Sequence, residues 1–275
     1  MDANPKSKRN ERVGAMMKIL SDEPNKLFTL GVFAEKFGVA KSTVSEDVDL
    51  LESIMSSYSL GRLETLPGAS GGVKYLPEMG PQAAREFIQE VCQQLSDPKR
   101  ILTGGYLYML DILSHPAYVA RMGEILAMWF AKDRPNFVLT VETKGIPVAF
   151  MVAKTLNIPL WVARRDARIT DGTAVMINYI TGGASSARRI QTMSLPKRAI
   201  KEGQRALIID DFCKAGGSVR GLCELMREFM VTVAGIGVVM ATPERRSDDV
   251  RSLMTLHGVD ESTSKVDVRP SSFLE

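Results

Sequence analysis

The hydrophobic positions of residues 1–80 fall into three series with helical spacing, each giving one face to bury. The three faces are Val13, Met16, Met17 and Leu20; Leu30, Phe33, Ala34 and Phe37; and Val44, Val48, Leu51 and Met55. The link between the second and third series, GVAKS, is short and contains a glycine, which is typical of a helix-turn-helix. Thr43 and Glu46 have the spacing of a capping box and predict that the third helix begins there.

Two brief extended runs follow in GRLETLPGASGGVKYLP, separated by turn-forming Pro-Gly and Gly-Gly pairs. This pattern predicts a β-hairpin. Three helices and a hairpin make a winged helix-turn-helix, in which the third helix enters the major groove of DNA and the wing meets the backbone. We therefore predict a DNA-binding domain over residues 1–77. Its candidate DNA contacts, on the third helix, the wing and the N-terminal tail, are Lys41, Ser42, Thr43, Ser45, Arg62, Lys74, Lys6, Lys8 and Arg9.

The charge of this region leaves a second interpretation open. Residues 1–80 hold ten Lys or Arg against eleven Asp or Glu, and Glu46, Asp47 and Asp49 make the predicted third helix partly acidic. Winged helices also serve as protein-interaction modules. DNA binding therefore rests on the fold pattern and on individual side chains.

The pattern changes after the first domain. Between residues 81 and 132, three stretches have helical spacing, among them residues 104–116. From residue 137, short apolar runs alternate with helical ones, which predicts βαβ units and a mainly parallel central sheet. TAVMINYI and ARRIQTMSL predict a further hairpin around TGGASS. The expected fold class is α/β, with the second domain covering residues 78–275.

Composition narrows the possible functions. An apolar content of 45% is sufficient for packed cores, and a net charge of +3 does not by itself announce a nucleic-acid partner. Three cysteines and two histidines without metal-type spacing predict neither a disulfide nor a metal site of the protein's own. The N-terminus lacks the apolar core of a signal peptide, and the longest apolar window is interrupted, so we expect a cytoplasmic protein without a membrane partner.

In the stretch ALIIDDFCKAGGS, a predicted buried strand ends at two adjacent acids, and a glycine pair follows. A loop of small residues between strand and helix exposes backbone N–H groups that bind anions. Asp210 and Asp211 would repel a bare phosphate but would accept hydrogen bonds from sugar hydroxyls, so the pattern favours a sugar phosphate. The spacing fits neither a Walker A loop nor a dinucleotide motif. The alternative is that the two acids only cap the following helix.

This stretch resembles the motif by which type I phosphoribosyltransferases bind 5-phosphoribosyl-1-pyrophosphate (PRPP). The resemblance implies that the acids hold the ribose hydroxyls, that residues 214–218 hold the 5-phosphate, and that TKG holds the pyrophosphate, with Mg²⁺ accompanying it. The implied PRPP-binding residues are Asp210, Asp211, Phe212, Cys213, Lys214, Ala215, Gly216, Gly217, Ser218, Thr143, Lys144 and Gly145. The implied flexible loop carries Ser185, Ser186, Arg188 and Arg189.

Many enzymes of that group carry Thr-Thr before the glycine pair, where this chain has Lys214 and Ala215. The segments KSTVSEDVDLLE, VETKGIPVAFMVAK and SARRIQTMSLPKRAI resemble, together with the motif, the purine operon repressors of Gram-positive bacteria over nearly the full length. That resemblance implies a homodimer that represses purine synthesis and transport genes, binds operator DNA upstream of them, is released by PRPP and is not an enzyme. An active purine phosphoribosyltransferase with an accessory winged helix is the alternative.

Two further expectations concern the ligand. Other nucleotides that carry a pyrophosphate group would compete with PRPP for the same turn. Phe212, Tyr106 and Tyr108 would stack on a purine if the pocket admits a nucleotide, although aromatic residues in apolar stretches more often belong to the core.

Overall fold

The computed structural model describes residues 7–68, 71–165, 172–181, 189–244 and 249–274. The chain divides into two compact units. One extends to Gly80 and includes Lys154–Asn157, and the other comprises the remainder. In the described parts of the chain, no helix is both long and apolar enough to span a bilayer.

The first unit consists of three helices and an antiparallel hairpin, as predicted. The elements are α1 (Arg9–Asp22), α2 (Leu30–Phe37), α3 (Lys41–Ser57), β1 (Arg62–Leu66) and β2 (Gly72–Leu76). The predicted apolar faces meet in one core, in which Met16, Leu20, Phe33, Val44 and Leu51 are buried. Gly38 ends α2 in the left-handed conformation, φ 64°, which a glycine adopts without strain and which lets the chain turn sharply into α3.

The start of α3 differs from the prediction. The helix begins at Lys41 with Ala40 at the N-cap, so Thr43 lies within the first turn and does not cap it. After the turn at Gly38 the chain passes through an extended Ala40, φ −68° and ψ 153°, and is already helical at Lys41. The capping-box interpretation of Thr43 and Glu46 is therefore wrong.

The second unit is built on a six-stranded sheet of order β12-β11-β10-β9-β5-β6. All neighbouring strands are parallel except β12, which pairs antiparallel with β11. The strands are β5 (Phe137–Val141), β6 (Leu160–Ala163), β9 (Arg205–Cys213), β10 (Thr232–Ala241), β11 (Val250–Asp260) and β12 (Lys265–Pro270). The α/β class with a mainly parallel sheet is confirmed, although the sequence pattern did not predict β11 and β12.

Helices and two small hairpins complete this unit. They are α4 (Pro81–Leu95), β3 (Ile101–Leu102), β4 (Tyr106–Leu107), α5 (Leu110–Leu113), α6 (Pro116–Phe130), α7 (Ile146–Leu156), β7 (Ala174–Thr181), β8 (Arg189–Pro196) and α8 (Gly217–Glu228). Residues 104–116 contain only one short complete helix, α5, because Gly104 and Gly105 both have positive φ and form the turn between β3 and β4. The hairpin of β7 and β8 is in continuous antiparallel register, as predicted.

Candidate functional site

The two adjacent acids lie inside the central strand β9, which continues past them to Cys213. The sequence interpretation ended the strand at the acids. Pairing with β10 continues beyond them, with Val238 opposite Asp210 and Met240 opposite Phe212. The acids therefore lie at the carboxyl end of a central parallel strand, the edge at which ligands bind in open α/β sheets.

The carboxyl group of Asp210 is buried, with 4% of the residue exposed, and its Oδ1 accepts a hydrogen bond from the Asp211 N–H at 2.9 Å. Burial, followed by the charge of Asp211 and a side-chain hydrogen bond with it, raises the pKa of Asp210 well above its ordinary value. The Asp211 N–H and Arg165 act in the opposite direction without reversing the shift. Asp211 itself is half-buried. Asp210 therefore retains its proton more strongly than an ordinary aspartate does, whereas solvent can reach Asp211.

The loop after the neighbouring strand β5 packs directly against this carboxyl. A Cβ atom built on Gly145 would lie 2.7 Å from Oδ1 of Asp210 and 2.8 Å from Oγ1 of Thr140. The hydroxyl of Thr140 is buried and has no hydrogen-bond partner among the described residues. Thr143 and Lys144 are exposed, and the peptide bond between Glu142 and Thr143 is cis. Only glycine allows this loop to approach the acid pair so closely.

The glycine turn follows β9 and leads into α8. Gly216 is the N-cap with φ 70°, and α8 begins at Gly217. The first N–H groups of a helix have no carbonyl partner within it, so those of α8 are available to a ligand at the turn. Thr242 fixes the base of the turn, because its N–H donates to the Cys213 carbonyl and its hydroxyl to the Lys214 carbonyl, both at 3.1 Å. The Lys214 side chain is exposed. This arrangement can bind a phosphate through backbone N–H groups beside two carboxylates.

Other predicted ligand residues differ in their environment. The Cys213 side chain is buried in the main hydrophobic core, so only its backbone can face a ligand, whereas Phe212 is half-buried. Tyr106 and Tyr108 are 70% and 41% exposed. The expectation that these tyrosines belong to the core is therefore wrong, because the short β3–β4 hairpin holds them outside it.

Tyr179 on β7 was not recognised from the sequence. Its hydroxyl donates to Oε1 of Gln191 at 2.9 Å, and its ring lies on Gly221 of α8, where a Cβ would be 2.8 Å from the ring. Burial raises the pKa of Tyr179; Arg165 and a hydrogen bond with Ser218 oppose the shift, and Asp210 adds to it. The glycine at 221 is the only sequence signal of this contact. The β7–β8 hairpin is thereby packed against the helix that begins at the glycine turn.

Part of the predicted flexible loop, Ser185, Ser186 and Arg188, lies outside the described residues, as does Lys6 of the N-terminal tail. Arg189 is the first residue of β8 and is exposed.

The candidate DNA-binding surface centres on the start of α3. Lys41, Ser42 and Ser45 are exposed there, and Thr43 is half-buried. This is the part of a recognition helix that reaches base edges in a helix-turn-helix. The structure therefore places together the four side chains that the sequence assigned to this helix.

The remaining basic candidates are already engaged in local interactions. Arg62 pairs with Glu78 at 3.0 Å and Lys74 with Glu64 at 3.3 Å. Arg9 approaches Asp47 at 3.3 Å, and Lys8 is the N-cap of α1. The pairs of Arg62 and Lys74 are exposed or half-exposed, so they are weak in water and can be exchanged for phosphate contacts.

Asp47 corrects the interpretation of α3 as a partly acidic surface. It is completely buried and receives two hydrogen bonds from Arg12 of α1, at 2.6 and 3.1 Å. Hydrogen bonding to Asp47 raises the pKa of Arg12, and this effect is larger than the opposite effect of burial. The charge of Asp47 is thus neutralised inside the domain. Glu46 and Asp49 remain on the exposed side.

Comparisons with known proteins agree with this architecture. Residues 8–77 match the family described as "Bacterial purine repressor, N-terminal", and residues 109–268 match the phosphoribosyl transferase domain. Adenine phosphoribosyltransferases from Thermoanaerobacter pseudethanolicus and Rhodothermus marinus share the fold. Their TM-scores are 0.51 and 0.50 at 16% and 19% identity, with 60% and 61% of this chain and 98% and 97% of theirs covered. The fold and its two domains define a DNA-binding protein with a phosphoribosyltransferase-type domain.

Full-length relatives define the family more narrowly. The chain is 42% identical to the purine biosynthesis transcriptional repressor PurR of Bacillus subtilis, over 98% of this chain and 94% of the relative. It is 36% identical to the purine biosynthesis transcriptional activator PurR of Lactococcus lactis, over 95% and 97%. The chain therefore belongs to the PurR family of purine biosynthesis transcriptional regulators. A xanthine phosphoribosyltransferase of Geobacillus thermodenitrificans is 31% identical over 56% of this chain and 79% of the enzyme.

Proposed function

We propose that this protein is a homodimeric repressor that binds operator DNA upstream of purine synthesis and transport genes and is released when PRPP binds its second domain. The observation that carries the proposal is the acid pair on β9, which lies between a glycine turn and a close-packed TKG loop in a chain that also has a winged helix. The repressor name of the B. subtilis relative supports the direction of control.

PRPP fits the chemistry of this edge of the sheet. The ribose hydroxyls donate to Asp210 and Asp211, the 5-phosphate accepts from the N–H groups of the glycine turn, and the pyrophosphate lies at Thr143–Gly145. The buried Thr140 hydroxyl, which has no partner in the described structure, lies beside the same carboxyl. Mg²⁺ would arrive bound to the pyrophosphate, and carboxylate oxygens of the acid pair are ligands that suit it.

Release of DNA requires coupling between the two ligands. A coupling free energy of about 1–3 kcal/mol corresponds to a 5- to 150-fold change in affinity, and bound DNA must lower PRPP affinity by the same factor. Competition for charge is one route, in which Lys144, Arg188 and Arg189 contact DNA phosphates and PRPP neutralises them. Residues 81–275 hold twenty-five basic against twenty-one acidic residues, so the excess positive charge lies in this domain. A DNA-binding salt slope that is unchanged in Arg188→Ala and Arg189→Ala variants would contradict this route.

We also propose that the phosphoribosyltransferase-type domain does not catalyse phosphoribosyl transfer. Lys214 and Ala215 replace the two threonines that many of the enzymes carry, which removes two hydroxyls from the turn. The similarity to xanthine phosphoribosyltransferase keeps an active enzyme as the alternative. Incubation with PRPP, Mg²⁺ and each purine base separates the two functions, because steady release of pyrophosphate would establish the enzyme.

DNA binding itself is tested by a mobility-shift titration on a purine operon promoter at low salt. A saturable shift supports the repressor, and the absence of a shift supports a winged helix that binds protein. Nucleotides carrying a pyrophosphate group are expected to compete with PRPP for the glycine turn, which displacement of labelled PRPP measures. Complete displacement of labelled PRPP by an excess of such a nucleotide would support a shared site, and no displacement would contradict it.

A further inference from the structure

Arg220 lies beside the glycine turn, and the packing of the fold does not account for a positive charge at this position. It is an exposed residue in the first turn of α8, and its guanidinium Nη1 donates to the Ala215 carbonyl at 2.9 Å. The same Nη1 would lie 3.7 Å from a Cβ built on Gly216. A positively charged side chain thus closes one side of the turn at the point where α8 begins.

The position of this charge is unfavourable for the helix alone. The N-terminus of a helix carries a partial positive charge, so a cation in the first turn is repelled by it, whereas an anion is stabilised. The Ala215 carbonyl compensates for only one of the five N–H donors of the guanidinium. Solvent can reach the remaining donors of this exposed guanidinium, and a bound anion would accept from some of them and offset the repulsion.

We propose that Arg220 is a ligand for the phosphate group that occupies the glycine turn. The inference rests on the proposed function and deepens it. The hydrogen bond to the Ala215 carbonyl holds the guanidinium beside the glycine turn. When the 5-phosphate of PRPP enters, the guanidinium donates to its oxygens, with the fork geometry that suits phosphate.

This assignment also distinguishes two cations beside the turn. Lys214 is exposed and precedes the glycines, while Arg220 follows them on the helix. Lysine acts as a mobile point charge, whereas arginine fixes the orientation of a phosphate by paired hydrogen bonds. Arg220 therefore contributes selectivity for a terminal phosphate at this end of the ligand, and Lys214 contributes charge.

The test compares Arg220→Gln, Arg220→Lys and a control, Arg227→Gln, by calorimetric titration with PRPP and with ribose 5-phosphate. Arg227 is exposed in the last turn of the same helix, so the control removes the same charge about two helical turns from the site. We expect Arg220→Gln to raise the Kd of both ligands by about 10-fold, as for loss of a charge-assisted hydrogen bond. Arg220→Lys should restore part of the affinity, and Arg227→Gln should bind as the unaltered protein does.

Equal PRPP affinity in the unaltered protein and Arg220→Gln would overturn the role of Arg220 and leave the proposed function standing. Equal losses in Arg220→Gln and Arg227→Gln would also overturn it, because the effect would then be one of net charge. Failure of the unaltered protein to bind PRPP would reject the proposed function itself. Circular dichroism of each variant establishes that α8 is folded in the protein that is titrated.

Discussion

Asp210 is the residue at which stability and the proposed function oppose each other. Its neighbours on the same strand, Leu207, Ile208 and Ile209, are buried apolar residues, yet an acid occupies the next position with only 4% exposure. Burial, with the charge of Asp211 beside it, disfavours the ionised carboxyl more than Arg165 favours it, which is why its pKa is raised. If position 210 served only the stability of the sheet, an apolar side chain would pack better there than an acid. The retained acid is explained by a ligand that donates hydrogen bonds to it.

We expect Asp210→Asn to stabilise the protein at neutral pH while removing the PRPP response. Because the carboxyl pKa is higher in the folded than in the unfolded state, unfolding free energy decreases as pH rises from the unfolded to the folded pKa. Asparagine does not ionise, so the variant should lose that decrease and be more stable than the unaltered protein at pH 8. Urea unfolding at pH 5 and pH 8 measures the difference. An unchanged pH dependence in the variant would contradict the burial of an ionisable group.

At the scale of elements, the two candidate surfaces are held by contacts between helices, strands and loops. Arg12 and Asp47 join α1 to α3 inside the winged domain, and Gly145 brings the loop after β5 against β9. Tyr179 packs the β7–β8 hairpin on α8. In each contact, a buried residue fixes the position of exposed groups on the same surface.

Arg12→Leu should destabilise the winged domain and weaken DNA binding, because it leaves the Asp47 carboxylate buried without its main partner. The double variant Arg12→Leu with Asp47→Leu should recover thermal stability, since no uncompensated charge remains. Lys18→Leu is the control, because Lys18 lies on the same helix in an exposed pair with Asp22. Thermal unfolding and DNA affinity are measured together. If Arg12→Leu unfolds at the same temperature as Lys18→Leu, the pair does not hold α3.

Gly145→Ala should abolish or strongly reduce PRPP binding while DNA binding persists. The added methyl group would meet the Asp210 carboxyl at 2.7 Å, so either the loop or the acid must move. Such overpacking costs about 1–3 kcal/mol. Gly258→Ala is the matched control, since a Cβ there meets nothing within 4 Å. PRPP affinity that is equal in the two variants would show that the loop does not need this close approach.

The sequence predicted the helices that have one apolar face. It did not predict the bounds of elements that depend on local backbone geometry. The helices of the winged domain were predicted because each has an i, i+3, i+4 face, but the start of α3 follows from the turn at Gly38 and not from Thr43. The acids were expected to end β9, because a sequence pattern cannot show that Val238 and Met240 continue the pairing. The motif located the acid pair and the glycine turn. Tyr179 depends on its contact with Gly221, which is distant in the sequence, and Arg220 depends on how its side chain folds back to the Ala215 carbonyl, so neither could be predicted from spacing.

At the scale of the whole molecule, the proposed function assigns two ligands, DNA and PRPP, to one chain. A winged helix with nearly balanced charge neutralises few phosphates by itself, so we expect this domain to contribute a modest electrostatic part of the DNA affinity and a shallow salt dependence. A ligand as anionic as PRPP therefore needs to supply only about 1–3 kcal/mol of coupling to change occupancy of the operator. The separation of the chain into two compact units is consistent with one unit for each ligand.

The most direct test of this account is DNA affinity on a purine operon promoter, measured by fluorescence anisotropy with and without PRPP and Mg²⁺. The unaltered protein is compared with Asp210→Ala combined with Asp211→Ala. We predict that PRPP weakens DNA binding of the unaltered protein about 5- to 150-fold. The double variant should bind DNA with the same affinity as the unaltered protein and should not respond to PRPP. Normal release of the double variant by PRPP, or no effect of PRPP on the unaltered protein, would contradict the acid pair as the site through which PRPP controls DNA binding.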